Sequence, residues 1–395
     1  MLTSSTPSSL GNYRLLSAIG QGASGTVRLA IHKNSKSQVA IKIIPRPDSL
    51  DQAKKEAYII REAYAISILN HPNINKLKAC HVSTNSVFLI IDFISGVDLV
   101  DHLQRYGRMS ERETRFIFRQ LVSAVEYCHR NSLIHRDLKF ENIRYNLTTG
   151  LITIIDFGLC AFHHQNNDDV RIRNSMLLAS NCGSPCYASP EIYKGNKYLG
   201  PEVDIWSLGI ILYSMAVGSL PFYGNSFNEL GASILSGLIT FPDHLSIKIV
   251  DLIQIILKVD YKQRAKIKDI IQHSWINMGY MTIPLDYIEL RVKPDKIQKI
   301  PVMQDTDIDD NEDEFTRYHP ILTRARGLFN ADNLYKIQRN SVDLKSMIRH
   351  LREKRVDGDV GASSLFYCER DVNYVKRTGV REWIMDSLLS FFKKG

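Results

Sequence analysis

The sequence has no long hydrophobic segment. No apolar run approaches the about 18 residues that a helix needs to cross a bilayer, so we expect no transmembrane span. The opening stretch, MLTSSTPSSLGNY, lacks the apolar core of a secretory signal peptide, and secretion is therefore not expected. No internal repeat is present.

Cysteine is also scarce. The chain has six cysteines in 395 residues, and only Cys182 and Cys186 lie near each other. Neither has a second Cys or His pair close by, as a structural zinc site would require. We therefore expect no zinc and a reducing compartment, the cytoplasm, with the nucleus as the alternative.

The composition is that of a globular protein. It is 44% hydrophobic and 23% charged, and the length suggests two or three domains. The net charge of +8 suits nucleic acid, acidic membranes or phosphate ligands alike. Because the basic residues are spread out and no motif alternates them with aromatics, we expect no nucleic-acid partner.

Hydrophobic periodicity divides the chain into a strand-rich part and a helix-rich part. A ligand site is expected where two such lobes meet. The pattern predicts strands within 13–44 and over 85–93, and helices over 51–69, 110–129, 204–218, 246–257 and 267–276. The helix over 204–218 is nearly all apolar, which predicts a buried central position.

A glycine-rich stretch, GQGASGTV at 20–27, matches G-x-G-x-x-G. A Rossmann loop with this pattern must run into a helix, yet this one runs into the alternating strand TVRLAIH. The Gly-Lys-Ser/Thr ending of a Walker loop is missing. The pattern therefore favours a hairpin whose backbone N–H groups approach phosphates, with an ordinary hairpin turn as the alternative.

Lys42, in VAIK, follows that hairpin on a predicted strand. A lysine on a buried strand needs an anionic partner. Two acids on the next predicted helix, Glu62 and Glu56, are candidates.

The segment HRDLKFEN at 135–142 gathers the groups that phosphoryl transfer needs, which are mainly positioning and charge neutralisation. Asp137 can accept a proton from a hydroxyl, Lys139 can reach a moving phosphate, and Asn142 can offer an oxygen to Mg²⁺. Asp156 follows the apolar strand LITII, and its carboxylate is predicted to be a second Mg²⁺ ligand.

Taken in order, these motifs with SPE at 189–191 and DIWSLG resemble a eukaryotic protein kinase over residues 13–276. The resemblance implies an α+β bilobal fold with a β-rich N-lobe and a helical C-lobe, ATP and Mg²⁺ as cofactors, and protein substrates. Lys139 is typical of serine/threonine kinases. NCGSPCYASPE is similar to the calcium/calmodulin-dependent kinase group, in its AMP-activated and microtubule-affinity-regulating branch.

The same resemblance implies roles for individual residues. Kinase spacing before His71-Pro72 favours Glu62 over Glu56 as the partner of Lys42. Asp92 and Ile94 would give hinge contacts to adenine, beside Ile91 as gatekeeper. Catalytic roles fall to Asp137, Lys139, Lys42 and Glu62, and metal binding to Asn142 and Asp156. Nucleotide contacts fall to Ile19, Gly20, Gln21, Gly22, Ala23, Ser24, Gly25, Val27, Ala40, Lys42, Asp92, Ile94 and Asp98, the last facing ribose or a basic substrate residue. Glu191 would pair with Arg264, and Asp204 would hold the catalytic-loop backbone.

The chain departs from the family pattern at several positions. Ser180 stands where the branch carries its activating threonine, so we expect an upstream kinase whose phosphate would meet Arg136. Phe140 replaces the usual proline of the catalytic loop. Arg144 replaces an apolar residue under adenine, where it would stack on the base or point away. A pseudokinase scaffold that binds nucleotide weakly is the alternative function.

Substrate preference rests on two acids. Glu141 and Asp98 predict a mild preference for basic residues near the phosphorylated Ser or Thr. Ser214 occupies a position where strongly arginine-selective kinases carry Glu.

The predicted domains are a flexible N-terminus at 1–12, the kinase domain at 13–276, a linker at 277–329 with an acidic run, and a small C-terminal module at 330–395. For that module three alternatives stand: a membrane-binding kinase-associated domain that contacts anionic lipid, a helical extension packed on the large lobe, and a calmodulin-binding helix.

Overall fold

The computed structural model describes residues 9–22, 25–46, 52–83, 85–162, 185–194 and 200–279. The expectations for Ala23, Ser24, Ser180, the linker beyond residue 279 and the C-terminal module lie outside the described residues. Within the described part, no helix has the length and apolarity needed to cross a bilayer.

The N-terminal part is an antiparallel sheet in the order β1-β2-β3-β4-β6-β5. A single helix, α1, lies between β4 and β5 in the chain, as the composition of 51–69 predicts. The bounds are β1 Ser9–Leu10, β2 Tyr13–Gly22, β3 Gly25–His32, β4 Gln38–Pro45, α1 Gln52–Ile68, β5 Leu77–Val82 and β6 Ser86–Asp92.

The two faces of this sheet belong to different hydrophobic clusters because side chains alternate along a strand. Ile41 and Ile90 belong to a small outer cluster. Ala40, Leu89 and Ile91 belong to the large cluster that continues into the helical residues of the described part. The inward face of β4 therefore looks toward the helical lobe.

The second part is mainly helical and is built around α5. This helix has fourteen buried residues, which confirms the central position predicted from its apolar sequence. The bounds are β7 Val97–Asp98, α2 Leu99–Tyr106, α3 Glu111–Arg130, β8 Leu133–Ile134, β9 Ile143–Tyr145, β10 Ile152–Ile154, β11 Ala161–Phe162, α4 Pro190–Tyr193, α5 Glu202–Val217, α6 Phe227–Ser236, α7 Ile247–Ile256 and α8 Ile267–Gln272. The short strands form two small sheets, β10-β9-β7 and β11-β8.

The predicted helices are present, but their bounds differ at two of them: α5 begins at Glu202 rather than 204, and the last helix is shorter than expected. Ser110 caps α3 by accepting a hydrogen bond from the Glu113 backbone at 3.2 Å. The helix expected over 267–276 ends at Gln272, because His273 takes an extended conformation (φ −65°, ψ 139°). Trp275 then turns into the core, where it is fully buried.

The flexible N-terminus expected at 1–12 is wrong for residues 9–12. Leu10 pairs with Tyr13 in β1 and is only 3% exposed, since its side chain joins the outer cluster of the sheet. Burial of a leucine side chain contributes roughly 1.5–3 kcal/mol, which stabilises this two-residue strand against the sheet edge.

Candidate functional site

Lys42 projects from the inward face of β4 and meets two carboxylates. Its Nζ lies 2.6 Å from Glu62 Oε1 and 3.0 Å from Asp156 Oδ1. Glu62 comes from α1 and Asp156 from the segment after β10, so this one amine joins both lobes. The predicted contact with Glu62 is present; the side chain of the rival, Glu56, lies outside the described residues.

The ion pairs keep this cluster charged although it is buried. Burial alone would lower the pKa of Lys42, but Glu62 and Asp156 outweigh burial and raise it. Burial would raise the pKa of Asp156, yet Lys42 and the Gly158 N–H hold it below its ordinary value. At neutral pH the site therefore presents the Lys42 cation and the Asp156 carboxylate, as phosphate and metal binding require. Burial raises the pKa of Glu62, although Lys42 opposes that shift.

The catalytic segment brings its three polar residues together. Asn142 Nδ2 donates to the Asp137 carbonyl at 2.8 Å and to Asp137 Oδ2 at 3.0 Å. Lys139 Nζ lies 2.9 Å from the same carboxylate. Asp137 is thus fixed in orientation by two neighbours from its own loop.

Asp204, at the start of α5, holds the backbone of this segment as predicted. Its carboxylate accepts from the backbone N–H groups of His135 and Arg136, both at 2.8 Å, and lies 2.8 Å from His129 Nε2. Arg136 has φ 69°, an unfavourable conformation for a residue with a side chain. The two hydrogen bonds from Asp204 stabilise this strained turn and so set the direction of Asp137.

The residues after Asp156 are packed against the same loop. Phe157 is 1% exposed, and its ring centre lies 4.8 Å from that of His135. A Cβ on Gly158 would lie 3.3 Å from Asp156 Oδ1 and 3.5 Å from Glu62 Oε2. Glycine at 158 therefore leaves the room that the charged cluster needs. The Phe157–His135 contact was missed in the sequence because no local pattern indicates it.

The glycine stretch forms a hairpin of β2 and β3, with Gly22 opposite Gly25. Gly25 has φ 152°, and a Cβ there would lie 2.2 Å from the Ile43 carbonyl oxygen, so only glycine fits. Val27 is opposite Lys42 in the sheet, which places the hairpin directly beside the amine. The other predicted nucleotide contacts in this region are also placed. Ala40 shares the inward face of β4 with Lys42. Ile19 is 46% exposed, and β2 also contains Gly20, Gln21 and Gly22.

Asp92 ends β6 at the rim of the cleft. Its backbone N–H donates to the Lys76 carbonyl at 3.0 Å, and its carbonyl accepts from Asn75 Nδ2 at 3.3 Å. Ile94 follows in the segment that leads to β7. Ile91, the predicted gatekeeper, faces inward beside Ala40, which is its partner in the sheet. Asp92 pairs with Val39, so the predicted hinge residues lie about 10 Å along β4 from Lys42.

Arg144 does not point away, and in this structure it forms an ion pair with Asp98. Its Nη1 lies 2.8 Å from Asp98 Oδ1, and its Nη2 donates to the Gly96 carbonyl. The two residues are far apart in sequence and meet only because β7 pairs with β9. Sequence inspection gave no signal for this pair.

The structural pair of the C-lobe is also present. Arg264 Nη1 and Nη2 lie 2.8 and 2.9 Å from the two carboxylate oxygens of Glu191. Both side chains are almost fully buried.

The donor set fits Mg²⁺. The cation prefers oxygen ligands and usually takes one or two carboxylates from a protein together with substrate phosphates. Asp156 supplies a carboxylate. The amide nitrogen of Asn142 is committed to Asp137, which leaves its amide oxygen for a metal. The glycine hairpin and Lys42 lie where a polyphosphate would meet that metal.

Comparisons with known proteins agree with this geometry. Residues 13–276 match the protein kinase domain family. The chain is 39% identical over 285 residues to "Probable serine/threonine-protein kinase MARK-C" of Dictyostelium discoideum, covering 71% of this chain and 35% of that protein. It is 37% identical over 291 residues to "SNF1-related protein kinase catalytic subunit alpha KIN12" of Arabidopsis thaliana, covering 73% and 56%. The chain therefore spans less than two thirds of the length of either relative. Their names confirm the branch that the motifs predict.

Proposed function

The chain belongs to the protein kinase family, and from this premise we propose that it transfers the γ-phosphoryl group of ATP to serine and threonine hydroxyls of protein substrates. The observation that supports this most strongly is the cluster of Lys42, Glu62 and Asp156, whose segment is joined to that of Asp137 by a hydrogen bond from the Ile155 N–H to the Asn142 carbonyl at 3.0 Å. Kinase chemistry depends on such positioning and charge neutralisation.

Each residue has a distinct part in the proposed reaction. Glu62 holds Lys42 extended toward the phosphates of ATP. Asp137 orients the substrate hydroxyl and accepts its proton as the new P–O bond forms and the bond to ADP breaks. Lys139 neutralises charge on the transferring group. Mg²⁺, held by Asn142 and Asp156, would neutralise the phosphate oxygens.

A pseudokinase scaffold receives no support from the described residues. Lys42, Asp137, Asn142 and Asp156 are all present and all face one cleft. Arg144, the one substitution that suggested weak nucleotide binding, is held by Asp98.

Transfer of labelled phosphate from [γ-³²P]ATP to a mixed Ser/Thr peptide set, with and without Mg²⁺, tests the proposal. We expect Mg²⁺-dependent transfer that Asp137→Asn reduces by about 10²-fold or more, since general-base positioning contributes about that much. Asp101→Asn is the matched control, because Asp101 is exposed on α2. Absence of transfer by the folded wild type, or equal activity of the two variants, would contradict the proposal.

The preference for basic substrates is proposed to rest on Glu141. It is exposed next to the catalytic residues, whereas the charge of Asp98 is neutralised by Arg144. A positional peptide library should show mild Arg or Lys enrichment that Glu141→Gln removes. A library with no such enrichment refutes this assignment.

Three further proposals concern residues outside the described part. We propose that an upstream kinase phosphorylates Ser180. The Ser180→Ala variant of this protein should then not be activated by that kinase. We propose that the C-terminal module binds anionic lipid or calmodulin, which liposome pelleting and a calcium-dependent pull-down of the full chain separate. We propose a cytoplasmic location, with a nuclear one as the alternative, which imaging of a tagged chain would test.

A further inference from the structure

Arg144 faces the cleft. On β9 its neighbours Ile143 and Tyr145 are buried in the core, so the side chain between them points to the opposite side. Asn142, the predicted metal ligand, is two residues earlier and alternates to that same side. Two residues along a strand span about 7 Å, so Arg144 lies about that far from the metal end of the site.

Three contacts fix the Arg144–Asp98 pair. The residues are directly opposite each other in the β7–β9 register, and Arg144 Nη1 lies 2.8 Å from Asp98 Oδ1. Arg144 Nη2 also donates to the Gly96 carbonyl. Gly96 keeps that carbonyl close, because it has φ 128° and a Cβ there would lie 2.3 Å from the Tyr145 oxygen. The guanidinium is therefore held sideways, toward the hinge.

The pair lies between the two ends of the nucleotide site that the proposed function requires. Phosphates would bind at Lys42, Asp156 and Asn142, and the base would reach the end of β6 at Asp92. The sugar would then lie between these ends, beside Arg144 and Asp98. Both side chains keep access to the cleft, with 23% and 36% of their surface exposed.

We propose that Arg144 is a specificity-determining residue that makes the nucleotide pocket tolerant of lost ribose hydroxyls. The inference rests on the proposed kinase function. Asp98 is the acidic side chain that would accept a hydrogen bond from the sugar. Because the guanidinium neutralises the charge of Asp98, a hydrogen bond from a ribose hydroxyl to its carboxylate adds little binding free energy. A carboxylate without that partner would favour ATP over a deoxy nucleotide by about tenfold or more. The aliphatic stem of Arg144 supplies apolar surface to the nucleotide in place of a smaller apolar residue.

The test compares KM and kcat for ATP, 2′-deoxy-ATP and 3′-deoxy-ATP. We expect wild-type KM values within about threefold of one another for the three nucleotides. Arg144→Leu frees Asp98 and should raise the deoxy-to-ATP KM ratio to about tenfold for at least one analogue, while the kcat ratio stays near one. Arg112→Leu, the same change at an exposed position of α3, should leave the wild-type ratios unchanged.

Asp98→Asn provides a second, independent arm that does not need Arg144→Leu to fold. The proposal expects its nucleotide ratios to stay within about twofold of wild type, because the wild-type carboxylate contributes little to sugar selection. A wild type that discriminates tenfold, an Arg144→Leu enzyme with unchanged ratios, or an Asp98→Asn enzyme with altered ratios would overturn it. A folded wild type with no turnover of any nucleotide would instead refute the kinase function itself.

Discussion

Replacing Glu191 with glutamine should destabilise the C-lobe strongly. Glu191 and Arg264 form a two-pronged ion pair with N–O distances of 2.8 and 2.9 Å, and their side chains are 2% and 0% exposed. The guanidinium also lies 5.1 Å from the ring centre of Trp206 at the middle of the core. The glutamine keeps the shape of the side chain and removes only its charge.

The expected loss of free energy of unfolding depends on the groups that still contact Arg264 in the Glu191→Gln variant. Breaking a buried ion pair by removing one partner costs about 3–5 kcal/mol, because a buried charge is left without compensation. Arg264 would keep its hydrogen bonds to the Lys258 carbonyl at 3.0 Å and the Glu202 carbonyl at 2.8 Å. These dipoles solvate part of the charge, so we expect about 3 kcal/mol, the lower end of that range.

Urea unfolding followed by circular dichroism measures this loss. Glu126→Gln is the matched control, since Glu126 pairs with Arg130 one turn along α3 with 24% and 35% of the side chains exposed. Such helical surface pairs contribute about 0.3–0.5 kcal/mol. If the two variants lost similar free energy of unfolding, the reasoning about burial would be refuted.

Three further perturbations have defined outcomes. Burial lowers the pKa of His71 from 6.5 to about 4, so protonation favours the unfolded state, and His71 alone should reduce the free energy of unfolding by about 3 kcal/mol as pH drops from 6.5 to 4. Burial also lowers the pKa of His81 and His135, so urea titrations should show a fall in every variant, and the fall should be about 3 kcal/mol smaller in His71→Gln than in wild type or His32→Gln. Gly209→Ala places a Cβ 2.5 Å from Ile256 Cγ2 and should cost about 1–3 kcal/mol; because Ile256→Ala removes that Cγ2, calorimetry should show a smaller cost of Gly209→Ala in the Ile256→Ala background than in wild type. Asp204→Asn should lower kcat about tenfold or more with little change in the KM for ATP, because it loosens Asp137 rather than the nucleotide site; a raised KM at constant kcat would contradict that role.

Most of the fold could be predicted from the sequence because its local patterns agree with the tertiary structure. The alternating TVRLAIH segment is β3, and Ser110 caps α3. Local patterns failed where burial decided the outcome. Leu10 joins a cluster that no neighbouring residue indicates, and Trp275 turns into the core at the point where α8 would otherwise continue.

The candidate site was predictable where short motifs carry its chemistry and not where distant segments meet. The contact of Lys42 with Glu62 was predicted from a motif and a spacing, and it is present. The Arg144–Asp98 pair needed the register of β7 with β9, which hydrophobic periodicity does not give. The catalytic roles of these residues stay predictions until the enzyme is assayed.

The side chain of Asp204 is part of the buried interior and of the candidate site at the same time. It is fully buried at the beginning of the central helix α5 and at the same time accepts the two hydrogen bonds that hold the turn before Asp137. A small shift of α5, caused by a repacking mutation far from the cleft, would therefore be transmitted to Asp137, the proposed proton acceptor, without changing any residue that is proposed to bind ATP. Variation in the interior of this lobe is accordingly expected to tune turnover, so screens for loss of activity should recover core positions as well as cleft positions.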